Sequence, residues 1–179
     1  SAFNSRLHEW NVGLVTDMSF MFRQANSFNQ DLSKWNVGQV ADMERMFFHA
    51  SVFNADLSKW DVFRVTTMNG MFYEASAFNQ DLSKWNVRKV RKMQGMFFQA
   101  SSFNGSLPQW NHYHLRNMDN MFNGAASFRQ ELVGEAWANS NANKMFMFEN
   151  SQGSICRFQP LYRGDLMAAL FSCFGDCAM

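Results

Sequence analysis

Residues 28–52 read FNQDLSKWNVGQVADMERMFFHASV, and the same frame returns every 25 residues along the chain. Tryptophan stands at Trp10, Trp35, Trp60, Trp85 and Trp110, and phenylalanine at Phe3, Phe28, Phe53, Phe78, Phe103 and Phe128. A methionine pair keeps the beat at Met18/Met21, Met43/Met46, Met68/Met71, Met93/Met96 and Met118/Met121. A fixed period means one structural unit copied several times. No single copy can bury its apolar residues alone, so the copies must stack.

The unit splits into two halves with different spacing. Leu32, Trp35, Val37 and Val40 follow a leucine-rich-repeat-like pattern, with Trp for the second Leu and Val for the Asn. Trp35 and Val37 are two apart and share one face of a short strand. Met43, Met46, Phe47 and Ala50 are spaced three, one and three, which is one face of a short helical segment. The predicted fold is therefore an α/β solenoid. It is a leucine-rich-repeat-like right-handed stack of coils, about 25 residues each, with a short parallel strand ladder and short helical segments. Residues 1–127 hold five regular repeats, 128–150 a degenerate terminal repeat in which Trp137 comes late by two, and 151–179 a tail outside the period.

Both ends raise questions of cover. Ser1-Ala2-Phe3-Asn4 matches the middle of a unit, as in Ser76-Ala77-Phe78-Asn79, so the reading expects an open edge there that needs covering. In the tail, 157–162 reads as extended and Asp165–Phe174 as a short helix, with Leu166, Leu170, Phe171 and Phe174 on its apolar side. Such a cluster would cap the last coil or dock on a partner.

Composition narrows the function. Net charge is +1, with 17% charged and 16% aromatic residues. No apolar run of about 20 residues would span a membrane, and no secretory signal is visible. All three cysteines, Cys156, Cys173 and Cys177, lie in the tail with no zinc-type spacing, leaving a disulfide and free thiols as alternatives. On a strand, His112 and His114 would share a side, as a metal pair requires. His112 falls in the inward Val column, however, which favours a core histidine. No nucleophile, phosphate-binding loop or carboxylate pair recurs in a form that builds a cleft. The reading is of a non-enzyme with no catalytic residue, cofactor or metal.

Two asparagine columns follow the period. Asn4, Asn29, Asn54, Asn79 and Asn104 read as turn chemistry with stacked side chains. Asn11, Asn36, Asp61, Asn86 and Asn111 read as a side-chain ladder on an exposed sheet face, with a row of recognition groups as the alternative. Beside them Lys84, Arg88, Lys89, Arg91 and Lys92 crowd the fourth unit, with Arg64 one unit earlier, and Lys34, Lys59 and Lys84 form a column. Phe63 and Tyr113 are outward aromatics, a type preferred with Arg as interface anchors. The candidate partner-binding residues are Lys34, Lys59, Asp61, Phe63, Arg64, Lys84, Arg88, Lys89 and Tyr113 on this face, and Leu170, Phe171 and Phe174 in the tail. A protein partner comes first and a glycan second. Overall neutrality and the lack of interleaved exposed aromatics argue against nucleic acid.

The run FNQDLSKWNV followed by V-x-x-M-x-x-MF-x-x-A resembles the BspA-like bacterial surface protein repeat of about 25 residues, grouped with leucine-rich repeats. The resemblance covers 1–127 strongly and 128–150 weakly. It implies surface display, adhesion and protein binding, at the cell surface or outside the cell, and it carries no catalytic residues to transfer. Val87–Met93 departs from the common form in being strongly basic at outward positions, which marks a contact surface of its own. The leading expectation is a non-enzymatic protein-interaction module. The alternative is a structural or linker subunit of a larger assembly, docked through its open N-terminal edge and its tail.

Overall fold

The computed structural model describes residues 3–107, 110–159 and 170–174, the last five and 157–159 by backbone alone. Six units stack in register. Single parallel bridges join Asp17, Asp42, Thr67, Lys92, Asn117 and Asn143 in one column. The step is 25 residues except at the last junction, where it is 26.

The segment expected to be helical is not an α-helix, and its hydrogen bonds say why. In unit two, Met46, Phe48 and Ala50 donate to the carbonyls of Met43, Arg45 and Phe47, three residues back, at 3.0–3.3 Å. The alternate residues Met43, Arg45, Phe47 and His49 donate instead to Thr67, Asn69, Met71 and Tyr73 of the next unit, at 2.7–3.2 Å. The result is a ribbon of tandem turns. Every fourth residue is left-handed, Arg45 at φ 51° and His49 at φ 58°, which turns alternate N–H groups sideways onto the neighbour. A lone helix of this length would be marginal and would leave four N–H groups unpaired at its start. Left-handed non-glycine residues cost about 1–2 kcal/mol each. Four inter-unit bonds at about 0.5–1.5 kcal/mol apiece offset two of them. The same four-bond ladder recurs at all five junctions.

The predicted strand ladder at Trp35–Val37 is also absent. Those residues lie in irregular chain between turns, and the parallel ladder sits five to seven residues later, at the bridge column. The inward assignment stands: Trp35, Val37, Val40, Met43, Met46, Phe47 and their counterparts in units three and four are buried. Each Trp is tied down in a specific way. The indole N–H of Trp35, Trp60, Trp85 and Trp110 donates to the carbonyl of Leu7, Leu32, Leu57 and Leu82 in the preceding unit, at 2.9–3.0 Å. The same carbonyl accepts the backbone N–H of its own unit's Trp, closing the turn. One oxygen thus uses both lone pairs to join two units.

Phenylalanines complete the core in two interleaved columns. Phe28, Phe53, Phe78, Phe103 and Phe128 stack with centroids 5.9–6.0 Å apart. Phe47, Phe72, Phe97 and Phe122 stack at 5.5–5.6 Å, and each contacts the first column at 3.9–4.0 Å. These offset stacks are the favoured aromatic geometry. Trp10, on the first unit, stacks on Trp35 with one face and is 54% exposed.

Unit six departs from the pattern. Glu131–Val133 forms strand β1, and Glu135–Ala138 a single-turn helix α1. Strand β2, Ser154–Gln159, pairs parallel with β1, and β3, Leu170–Phe174, pairs antiparallel with β2. The extended reading of the first part of the tail agrees with β2 as far as Gln159. The predicted helix over Asp165–Phe174 does not hold for Leu170–Phe174, which is strand: pairing with β2 overrides the apolar helical spacing. Residues 165–169, with Leu166, and the side chains of Leu170, Phe171 and Phe174 lie outside the described residues. Gly153, entering β2, admits no side chain, since a Cβ there would fall 2.5 Å from the Phe128 ring.

Trp60→Ala is expected to cost about 3–5 kcal/mol, because it opens a void between two units. Trp60→Phe keeps a ring but deletes the bond to Leu32, and should cost about 1–2 kcal/mol. Urea unfolding of the two variants checks the order. Equal losses would show that the indole bond contributes nothing.

Candidate binding surface

The outward candidates sit on the turns that follow each Trp. Asn11, Asn36, Asp61 and Asn86 accept the backbone N–H two residues on, from Gly13, Gly38, Phe63 and Arg88, at 3.1–3.3 Å. This column was expected to be a ladder on an exposed sheet face, yet these four members cap their own turns, and the Oδ1 of the fifth, Asn111, has no partner among the described residues. The true ladder is the other column. The Oδ1 atoms of Asn4, Asn29, Asn54, Asn79 and Asn104 accept the backbone N–H one unit on, at 2.8–3.1 Å. Both columns therefore hold the frame, and Asp61 is first of all a turn residue.

With the turns set, Lys34, Lys59, Lys84, Asp61, Phe63, Arg64, Arg88, Lys89 and Tyr113 are all exposed, as are Arg91 and Lys92. Unit four, residues 78–102, carries five cations against one carboxylate, an excess of four where the whole chain has a net +1. None of the five forms an ion pair among the described residues. The one carboxylate, Asp81, is held below the usual range by the backbone N–H and hydroxyl of Ser83, with Lys84 adding to the effect. The Lys89 ammonium lies 4.2 Å from the centre of the Phe63 ring, a cation–π contact that links units three and four. Arg64, Arg88, Lys89, Phe63 and Tyr113 thus share one turn position or its neighbour on successive units. Lys34 and Lys59 continue the Lys84 column towards the first unit.

His112 and His114 do not form a pair. The segment is a turn, so His112 is buried at 1% exposure while His114 faces outward. The His112 ring meets Trp137 edge-on at 4.2 Å, and neither of its nitrogens has a hydrogen-bond partner. Burial, with Lys144 adding repulsion, pushes its pKa down to about 4. No group of three or more metal-binding side chains exists among the described residues. Cys156 is disulfide-bonded, and Cys173 is its cross-strand neighbour in the β2–β3 register. No helix among the described residues is long and apolar enough to cross a membrane.

Similarity to known families covers the stacked units. Residues 1–63 and 55–155 match the family described as Mycoplasma protein of unknown function, DUF285. The chain belongs to this family. The match takes in the irregular sixth unit and the first residues of β2, so the DUF285 frame extends past the point where Trp137 slips out of phase. No curated protein and no solved structure matches the chain. Of the unit-four cations, Lys84, Arg88 and Lys89 stand on outward turns, while Arg91 and Lys92 lie at the bridge column with exposed side chains.

Arg88→Glu with Lys89→Glu loses the exposed Lys89–Phe63 contact, about 0.5–1 kcal/mol, and should leave the melting temperature within about 2–4 °C. His112 should impose a pH dependence. Its pKa is about 4 folded against 6.5 free, so the unfolded chain binds the extra proton between these values. Stability is fully present above pH 6.5 and falls as pH drops towards 4, by about 3 kcal/mol at most. His112→Val, the residue at this place in units one to four, should remove that loss, as urea unfolding at pH 7 and pH 4.5 would read. An identical pH response in the variant would acquit His112.

Proposed function

We propose that this chain is a non-enzymatic interaction module that binds an acidic protein partner through the turn face of units three to five. The observation that supports it is the unpaired charge of unit four. Five exposed cations stand without a carboxylate partner among the described residues, and a concentrated single-sign patch steers complementary partners. Arg64 and Arg116 extend the patch on either side, and exposed Phe63 and Tyr113 supply anchors of the type enriched in interfaces. The reading places the module in a solenoid of the leucine-rich-repeat type. It also follows the likeness of its repeat to BspA-like surface proteins, and so favours display at the cell surface. The disulfide at Cys156 supports the same compartment, since such bonds persist where conditions are oxidising.

The test is binding of a ten-residue poly-glutamate peptide and a matched poly-glutamine peptide at several salt concentrations. The glutamate peptide should bind, weaken as salt rises, and lose on the order of tenfold in association rate in the Arg88→Glu, Lys89→Glu variant. Equal binding of the two peptides, or no effect of the double reversal, would remove this face from recognition.

A further inference from the structure

The tandem-turn ribbon carries a second surface feature that the basic face does not use. A groove of about 340 Å³ runs along the stacking axis over units two to five. Gly70 and Gly95 form its floor, Arg45 closes one end and Asn120 the other. These four residues occupy the same left-handed position on successive units, at φ 51–58°. Phe20 at φ 60° and Phe146 at φ 55° hold that position in the outer units. The backbone there accepts ordinary residues in four units of six, so the turn does not demand glycine. What the two glycines do is keep that position free of a side chain, with Arg45 Cγ and the Tyr73 ring packed over them.

The walls define what fits. On one side Phe48, Tyr73 and Phe98 stack at 4.4–4.6 Å, with the Arg23 guanidinium 5.4 Å from the outer ring. Their faces are occupied by one another, so the groove meets ring edges, the positive rim of the aromatic quadrupole. That rim suits oxygen lone pairs and disfavours a cation. On the other side stand Glu44, Asn69 and Gln94. Asn69 uses its oxygen on the Gln94 backbone N–H at 3.0 Å, and Asn120 uses its oxygen on Asn123 at 2.9 Å. Both keep a free amide NH₂. The Gln94 side chain and the Tyr73 hydroxyl have no hydrogen-bond partner among the described residues. Glu44 and Arg45, 3.9 Å apart, give the groove one charge of each sign.

We propose that this groove binds a neutral, hydroxyl-rich oligosaccharide lying along the stacking axis. Donors and acceptors alternate along the amide wall, as hydroxyl groups require. The rings of this wall recur every 4.4–4.6 Å along the stack, a step on the scale of one sugar ring in an extended chain. A peptide strand presents like side chains about every 6.7 Å and falls out of step. The site goes beyond the acidic-partner reading, uses none of its residues, and stands or falls without it.

Titration calorimetry of the full chain with the neutral β-1,4-linked hexaoses of glucose, mannose and xylose tests it. At least one should bind saturably. Gly95→Asn places in the floor the residue that unit five already carries there, and should weaken binding by about tenfold or more by obstruction. Tyr73→Phe should weaken it by about fivefold, the loss of one neutral hydrogen bond. Arg88→Glu with Lys89→Glu should leave it unchanged. If Gly95→Asn does not fold, Gln94→Ala decides, since it removes an exposed amide and keeps the backbone ladder. No binding of any of the three sugars would overturn the proposal. So would binding indifferent to the groove variants, or tighter binding of a neutral asparagine- and glutamine-rich peptide.

Discussion

Everything in this molecule depends on equal unit length. In the tandem-turn ribbon each N–H has one of two destinations, the carbonyl three residues back or the carbonyl one unit on, and the choice alternates residue by residue. Such a pattern works only when each unit presents its carbonyls in the same phase. The Trp–Leu bonds and the Asn ladder impose the same condition on the other sides of the unit. Unit six shows what happens when it fails. Between Leu132 and Trp137 there are two more residues than in the regular units, and α1 absorbs them. Trp137 stays buried, yet its indole N–H has no partner, and the His112 ring it covers has none either. Orphaned buried groups of this kind cost about 1–3 kcal/mol each, so the extra residues weaken this junction.

The frame separates stability from recognition. Core columns barely vary, and two polar columns are spent on turns and ladders. What remains free to differ is a narrow set of outward positions: the turn after each Trp, and the left-handed positions of the ribbon. The basic patch occupies the first and the glycine-floored groove the second. Because the stack spaces these positions regularly, side chains on adjacent units are presented without further ordering, which lowers the entropic cost of binding.

Much of this was legible in the period. Apolar residues repeating every 25 positions had to be inward, and nearly all of them are. The error lay in converting spacing to secondary structure. Met43, Met46, Phe47 and Ala50 share a face in a helix, but they share one equally well in consecutive β-turns. Trp35 and Val37 share an inward side with no strand at all. The two Asn columns exchanged roles for the same reason: an Asn that accepts from its own turn and one that accepts from the next unit look alike in a chain read one unit at a time. For Leu170–Phe174, apolar spacing spoke for a helix, and the partner strand β2 decided otherwise.

The amino-acid sequence alone determined the repeat length, the stacking, the identity of the buried columns and the concentration of charge in unit four. These follow from which residues recur, and burial of a recurring apolar set needs no knowledge of backbone path. The tertiary structure alone decided where each backbone N–H points, and with it the tandem-turn ribbon, the Asn ladder and the groove lined by Gly70 and Gly95. A hydrogen bond between residues about 25 positions apart exists only once the neighbouring unit is in place. Competition between that bond and a local helical one is settled by the neighbour rather than by the segment.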